Sequence, residues 1–153
     1  TTDISAALKA AAPTETQRHV LVVDDSSVAR KQIARTLDQL GIEYFMATNG
    51  REALELLQTW ARDPQPVTER LAMVITDIEM PEMDGYTLTA EIKKDRRLAP
   101  LFVLLHSSLS GVFNRAMVEK VGANEFLAKY HPDELAAMVL KILGADGRRS
   151  AAA

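Results

Sequence analysis

The chain has 153 residues, 47% of them hydrophobic and 25% charged, with a formal net charge of -3. That is enough for one well-buried core and too little for two, and a mildly acidic balance with no basic stripe excludes a nucleic-acid footprint. No apolar run approaches the roughly 18 residues of a membrane span, and the lack of cysteine removes disulfides, thiolate metal sites and thiol nucleophiles. A cytoplasmic protein with no membrane insertion is expected.

Residues 1–18 are alanine-rich as far as Pro13 and read as a linker or the tail of an upstream domain. His19 to Val23 is a continuous apolar run, the pattern of a strand covered on both faces. Ala29, Ile33, Leu37 and Leu40 then recur at helical spacing, and Gly41 supplies the stop. A second strand near Ile42 to Ala47 leads through Asn49-Gly50 into a helix with Ala53, Leu56, Leu57 and Trp60 on one face. Arg62-Asp63-Pro64-Gln65-Pro66 ends it, and Thr59 to Arg70 reads as an extended helix end plus a surface loop. Strands near Leu71 to Thr76, Leu101 to His106 and Glu125 to Ala128 are separated by helical segments near 86–95 and 112–121. A last helix turns Leu135, Met138, Val139 and Ile142 inward, and 145–153 reads as a flexible tail. Five strands alternating with five helices over 19–144 predict an α/β fold: a doubly wound, three-layer sandwich around a parallel sheet.

Such sheets bind ligands beyond the carboxyl ends of their strands. Those ends carry Asp24 and Asp25 after the first strand, Asp77 after the third, Ser107 after the fourth and Lys129 after the fifth. Singly, each has a structural explanation: a helix cap, a turn, loop filler, a surface cation. Gathered at one rim, they make a site. Two unit charges about 4 Å apart repel by about 4 kcal/mol at an effective dielectric near 20, so clustered carboxylates need a cation. Oxygen ligands select a hard ion such as Mg²⁺, and a carboxylate beside a metal and a lysine can attack phosphorus. Asp77 is then the phosphoacceptor, in a loop shaped by Pro81 and Gly85.

These residues carry a resemblance. Val22-Val23-Asp24-Asp25-Ser26, Asp77-x-x-Met80-Pro81-x-Met83-Asp84-Gly85, Ser107, Gly122-Ala123 and Lys129 resemble the CheY-like receiver domains of two-component response regulators. The resemblance implies a flavodoxin-like (βα)5 fold with strand order 2-1-3-4-5, and a phosphoacceptor domain, not an enzyme with a separate substrate. It implies a histidine kinase as donor, with Asp24, Asp25, Asp77 and the Glu79 backbone carbonyl around Mg²⁺, Asp24 partly through water. Ser107 and Lys129 would contact the phosphoryl group. Ser107 and Phe126 would form the switch, where Phe126 replaces the family's tyrosine and signals by ring position alone. Output would leave by the face made of the helix near 112–121, the fifth strand and the last helix.

Asp77-Ile78-Glu79-Met80-Pro81-Glu82-Met83-Asp84-Gly85-Tyr86, His106-Ser107-Ser108-Leu109-Ser110-Gly111 and Pro132-Asp133-Glu134-Leu135 are most similar to the receiver of chemotaxis coupling proteins of the CheV type. Those join a CheW-like domain to a receiver, implying a chemotaxis-type kinase and a receptor array as partners. The chain departs from the family at Tyr130, where a proline usually follows the lysine. His106 is expected to be a hydrogen-bonded histidine at a strand end. Three alternatives stand beside this reading: a phosphorylation-independent interaction module, a phosphate sink for the kinase, and a dehalogenase-type aspartyl-phosphate hydrolase. The hydrolase's Asp-x-Asp signature is not met at Asp77-Ile78-Glu79.

Overall fold

The computed structural model describes residues 19–108 and 114–152, with side chains described as far as 144. The expectations for 1–18 and for 109–113 lie outside the described residues. Five parallel strands form one sheet: β1 (His19–Val23), β2 (Tyr44–Ala47), β3 (Leu71–Thr76), β4 (Phe102–Ser107) and β5 (Glu125–Ala128), in the order β2-β1-β3-β4-β5. Between them run α1 (Ser27–Gln39), α2 (Gly50–Ala61), a single turn α3 (Val67–Arg70), α4 (Gly85–Lys94) and α5 (Arg115–Val121), and α6 (Pro132–Ala152) follows β5. The doubly wound flavodoxin-like fold expected from the sequence is present.

Alternation along each strand divides the core in two. Val20, Val22, Met73, Ile75 and Leu104 turn to one face, where Ile33 and Leu37 of α1 and Leu135 and Val139 of α6 cover them. Leu21, Val23, Val74 and Val103 turn to the other, under Leu57 of α2 and Leu88 and Ile92 of α4. The central strand β3 is buried at every residue, whereas the edge strands β2 and β5 are only partly covered. Polar caps fix the helix starts: Ser26, Asn49, Asp84 and Asn114 each accept a backbone N–H from the first turn.

Three boundaries differ from the sequence reading. β4 runs through Ser107, placing that residue on the strand rather than after it. The segment read as helix end plus loop contains α3, which forms because Val67 tucks into the core beside Leu57 and Leu71. Arg70 lies over the Trp60 ring at 5.3 Å and Trp60 meets Phe45 at 4.9 Å, while Arg97 donates to the Ala61 carbonyl at 2.8 Å, so the segment from 59 to 70 is tied down. The helical backbone of α6 continues past 144 to Ala152, as the helix propensities of alanine and arginine favour.

Candidate functional site

Each strand end delivers its side chain with the backbone already fixed by a neighbour. The Asp24 N–H donates to the Ala47 carbonyl at 3.1 Å and the Asp77 N–H to the Val23 carbonyl at 2.9 Å. The Lys129 N–H donates to the Ser107 carbonyl at 2.8 Å. Because the sheet order places β1, β3, β4 and β5 side by side, these ends converge.

The carboxylates of Asp24, Asp25 and Asp77 offer oxygens that all lie within 4.8 Å of one another. Asp24 and Asp77 are buried and Asp25 is exposed, so two acids line the floor and one the mouth. The Lys129 side chain, 8% exposed, reaches in from the far side: Nζ is 2.8 Å from Asp24 Oδ2 and 3.4 Å from Asp77 Oδ2. In this state the lysine is held mainly by Asp24. Burial alone would pull its pKa down, but the hydrogen bond and charge of Asp24, with the charge of Asp77, more than offset that and raise it. Asp77 is pushed up to about 6 by burial and then by the charge of Asp24, against the opposing pull of Lys129 and the Ile78 N–H. That N–H binds Asp77 Oδ1 at 2.8 Å and leaves Oδ2 toward the lysine.

Local sequence explains the remaining rigidity. Asp24 Oδ1 accepts the Ser26 N–H at 2.9 Å while Ser26 itself caps α1. Gly85 donates to the Ile78 carbonyl at 2.7 Å, and a Cβ there would collide with the Asp77 carbonyl, so the loop after β3 closes on the acceptor only with glycine. Gly50 plays the same part against Met83.

Ser107 is buried at the end of the strand beside that of Asp77, since Thr76 pairs with Leu105. Phe126 is partly buried with Ile78, Tyr86, Leu105 and Val118. Glu79 is exposed next to this cluster. His106 departs from expectation: it is 5% exposed, its Nδ1 has no hydrogen-bond partner among the described residues, and burial pushes its pKa down to about 4. No described peptide bond is cis, and Tyr130 takes a left-handed φ of 69° where the family's proline would stand. Sequence reading missed two residues. Arg30 Nη1 donates to the Asp24 carbonyl at 2.6 Å, and the Tyr86 hydroxyl accepts the Asn114 N–H at 2.8 Å, joining α4 to the start of α5. Arg30 stands on the first turns of α1, six residues after Asp24.

The response regulator receiver domain profile matches residues 20–140. The chain belongs to the response regulator receiver domain family. The chemotaxis protein CheV3 of Helicobacter pylori is 31% identical over 125 residues, covering 81% of this chain and 40% of that protein. The two-component response regulator ORR5 of Oryza sativa is 37% identical over 128 residues, covering 82% of this chain and 88% of that protein. Among solved structures, the chemotaxis response regulator CheY4 of Vibrio cholerae superposes with a TM-score of 0.69 at 26% identity, over 83% of this chain and 99% of that one. The receiver chain thus spans under half of its CheV relative, and identity alone does not favour coupling proteins over other regulators. No described helix is long and apolar enough to cross a membrane.

Proposed function

We propose that this receiver domain takes a phosphoryl group from the phosphohistidine of a histidine kinase onto Asp77, and that the modified state signals by protein contact. The observation that carries the reading is the placement of Asp77 at the end of the most buried strand, within one cluster with Asp24, Asp25 and Lys129. An Asp77 carboxylate oxygen attacks phosphorus as the phosphorus–nitrogen bond breaks, and the donor imidazole keeps the electron pair. Hydrolysis later cleaves the acyl phosphate and restores the carboxylate. The chain itself supplies position and charge, which dominate phosphoryl transfer.

The donor set fits a hard cation: three clustered carboxylates, two of them buried, with a single ammonium to balance them. Asp24, Asp25, Asp77 and the Glu79 carbonyl would hold Mg²⁺, which when bound neutralises the oxygens of the transferring group. Lys129 then exchanges its hold on Asp24 for the new phosphate, and the Ser107 hydroxyl moves toward it. Phe126 shifts into the space released, biasing a pre-existing equilibrium at the α5–β5–α6 face.

The similarity to CheV proteins supports a chemotaxis role in the cytoplasm, with a CheW-like upstream domain coupling receptors to the kinase. The test is phosphoprotein formation from acetyl phosphate, with and without Mg²⁺, in wild type and Asp77→Asn. Label that requires both Mg²⁺ and Asp77 is expected. Label retained in Asp77→Asn overturns the acceptor assignment, and no label at all leaves an interaction module on a receiver fold.

A further inference from the structure

Of the seven residues of α5, only Val118 is buried. A helix this short has little stability of its own, so its position depends on what holds its ends. Both ends are tied to α4, and the two ties differ in strength. At the far end, Asn124 Oδ1 accepts Lys93 Nζ at 2.9 Å and the Val103 N–H at 2.8 Å, which fixes the chain after α5 to α4 and β4. At the near end, the Tyr86 hydroxyl accepts the Asn114 N–H at 2.8 Å and donates to the Asn114 carbonyl at 3.4 Å. A hydrogen bond from a charged donor is roughly twice as strong as one between neutral groups. The near end is therefore the one that yields.

Packing and capping do not call for that hydroxyl. Asn114 Oδ1 already caps α5 by accepting the Ala116 N–H at 3.0 Å and the Met117 N–H at 3.3 Å. Asn114 is exposed, so water could serve its N–H equally well. The hydroxyl thus sets where the helix stands rather than whether it forms. The Tyr86 ring is buried in one cluster with Ile78, Leu105 and Val118, against which Phe126 packs, and a phenylalanine would fill the same space. Ile78 follows Asp77, and its carbonyl accepts the Gly85 N–H at 2.7 Å, so the residue before Tyr86 is fastened to the acceptor loop. Tyr86 is joined to that loop through its backbone, to the Phe126 cluster through its ring and to α5 through its hydroxyl.

We propose that the Tyr86 hydroxyl is a latch holding α5 in its resting position, and that phosphorylation of Asp77 releases it as Phe126 moves toward Ser107. The start of α5 then swings while Asn124 stays pinned. Tyr86 is a positioning residue, since it touches no reacting atom. The proposal rests on the phosphoacceptor reading and goes beyond it by naming the contact that resists the switch. A bond made only in the resting state opposes the switched one, so its loss favours phosphoryl binding by the same factor.

That reciprocity holds for equilibria, so the experiment is a titration of the full chain with the beryllium trifluoride anion and Mg²⁺. This anion bonds to a carboxylate oxygen in the shape of a phosphoryl group. Tyr86→Phe, which keeps the ring, should bind it about fivefold more tightly than wild type, the equivalent of one neutral hydrogen bond near 1 kcal/mol. In the free variant, the backbone amide resonances of Glu119 and Lys120 should lie part-way along the line from free to loaded wild type. Lys93→Met weakens the pinned end in both positions of the helix, so it controls for lost stability and should leave the affinity unchanged. Unchanged or weaker binding by Tyr86→Phe, with wild type binding normally, overturns the latch and leaves the phosphoacceptor reading standing. So does an equal gain in Lys93→Met. No binding by wild type, together with no acetyl-phosphate label, sinks the phosphoacceptor reading and the latch with it.

Discussion

Two lysines sit at opposite ends of the same pair of strands, and they are held in opposite ways. Before β4 and β5 begin, Lys93 Nζ donates to the Ala99 carbonyl at 3.0 Å, the Leu101 carbonyl at 2.7 Å and Asn124 Oδ1 at 2.9 Å. Three neutral acceptors match its three donors, and burial lowers its pKa. After β5 ends, Lys129 lies between two carboxylates and its pKa is raised. The first arrangement is complete and needs nothing more. The second holds more negative charge than one ammonium can balance, and that imbalance is what a cation or a phosphoryl group can change.

Removing each lysine is the sharpest way to test this contrast. Lys129→Met removes the ammonium that bridges the buried carboxylates of Asp24 and Asp77, and breaking such a pair costs about 3–5 kcal/mol in chemical denaturation at neutral pH. The cost should shrink below the Asp77 pKa of about 6, where that carboxyl takes up a proton. A pH-independent loss would break the comparison.

The neutral state of His106 gives the next largest effect. Its pKa falls from 6.5 to about 4 on folding. The unfolded chain therefore binds a proton that the fold refuses, and stability present above pH 6.5 is lost as pH falls toward 4, by roughly 3 kcal/mol. His106→Val should lack this loss. The difference between the two proteins' stability-versus-pH curves measures it, and parallel curves would sink the assignment.

At the other end, Lys93→Met should cost about 2–3 kcal/mol, as hydrogen bonds to a charged group are lost, while acetyl-phosphate labelling of Asp77 is unchanged. Reduced labelling would show that the two ends are not separable. The smallest effect is at Gly122, whose φ of 83° and a built Cβ 3.3 Å from Lys93 Cγ make Gly122→Ala costly by about 1–2 kcal/mol, again with labelling intact.

Much of the site was legible because strand ends are. The runs His19–Val23, Leu71–Thr76 and Glu125–Ala128 are bounded by polar residues, and the observed strands keep those bounds. Strand order is different: five similar apolar runs do not state which lies beside which, and the order came from the resemblance. The one-turn α3 has too few residues to show a period. Tertiary partners were invisible for another reason. Nothing in the spacing of Arg30 says that its guanidinium meets a backbone carbonyl, and nothing in the run ending at His106 says that its Nδ1 finds no hydrogen-bond partner among the described residues. The preference of Lys129 for Asp24 over Asp77 is likewise set by side-chain reach across strands.

The stack of Phe45, Trp60 and Arg70 has a practical consequence. Trp60 is the single tryptophan of the chain, and it lies in the last turn of a helix whose first residue, Gly50, adjoins the loop after Asp77. At 1.5 Å per residue, the helix carries the indole about 15 Å from that loop. Its fluorescence therefore reports whether the far end of the sheet is folded and leaves events at Asp77 dark. An optical probe of phosphorylation has to be introduced near the acid cluster, and the native emission then serves as an internal reference for the integrity of the fold.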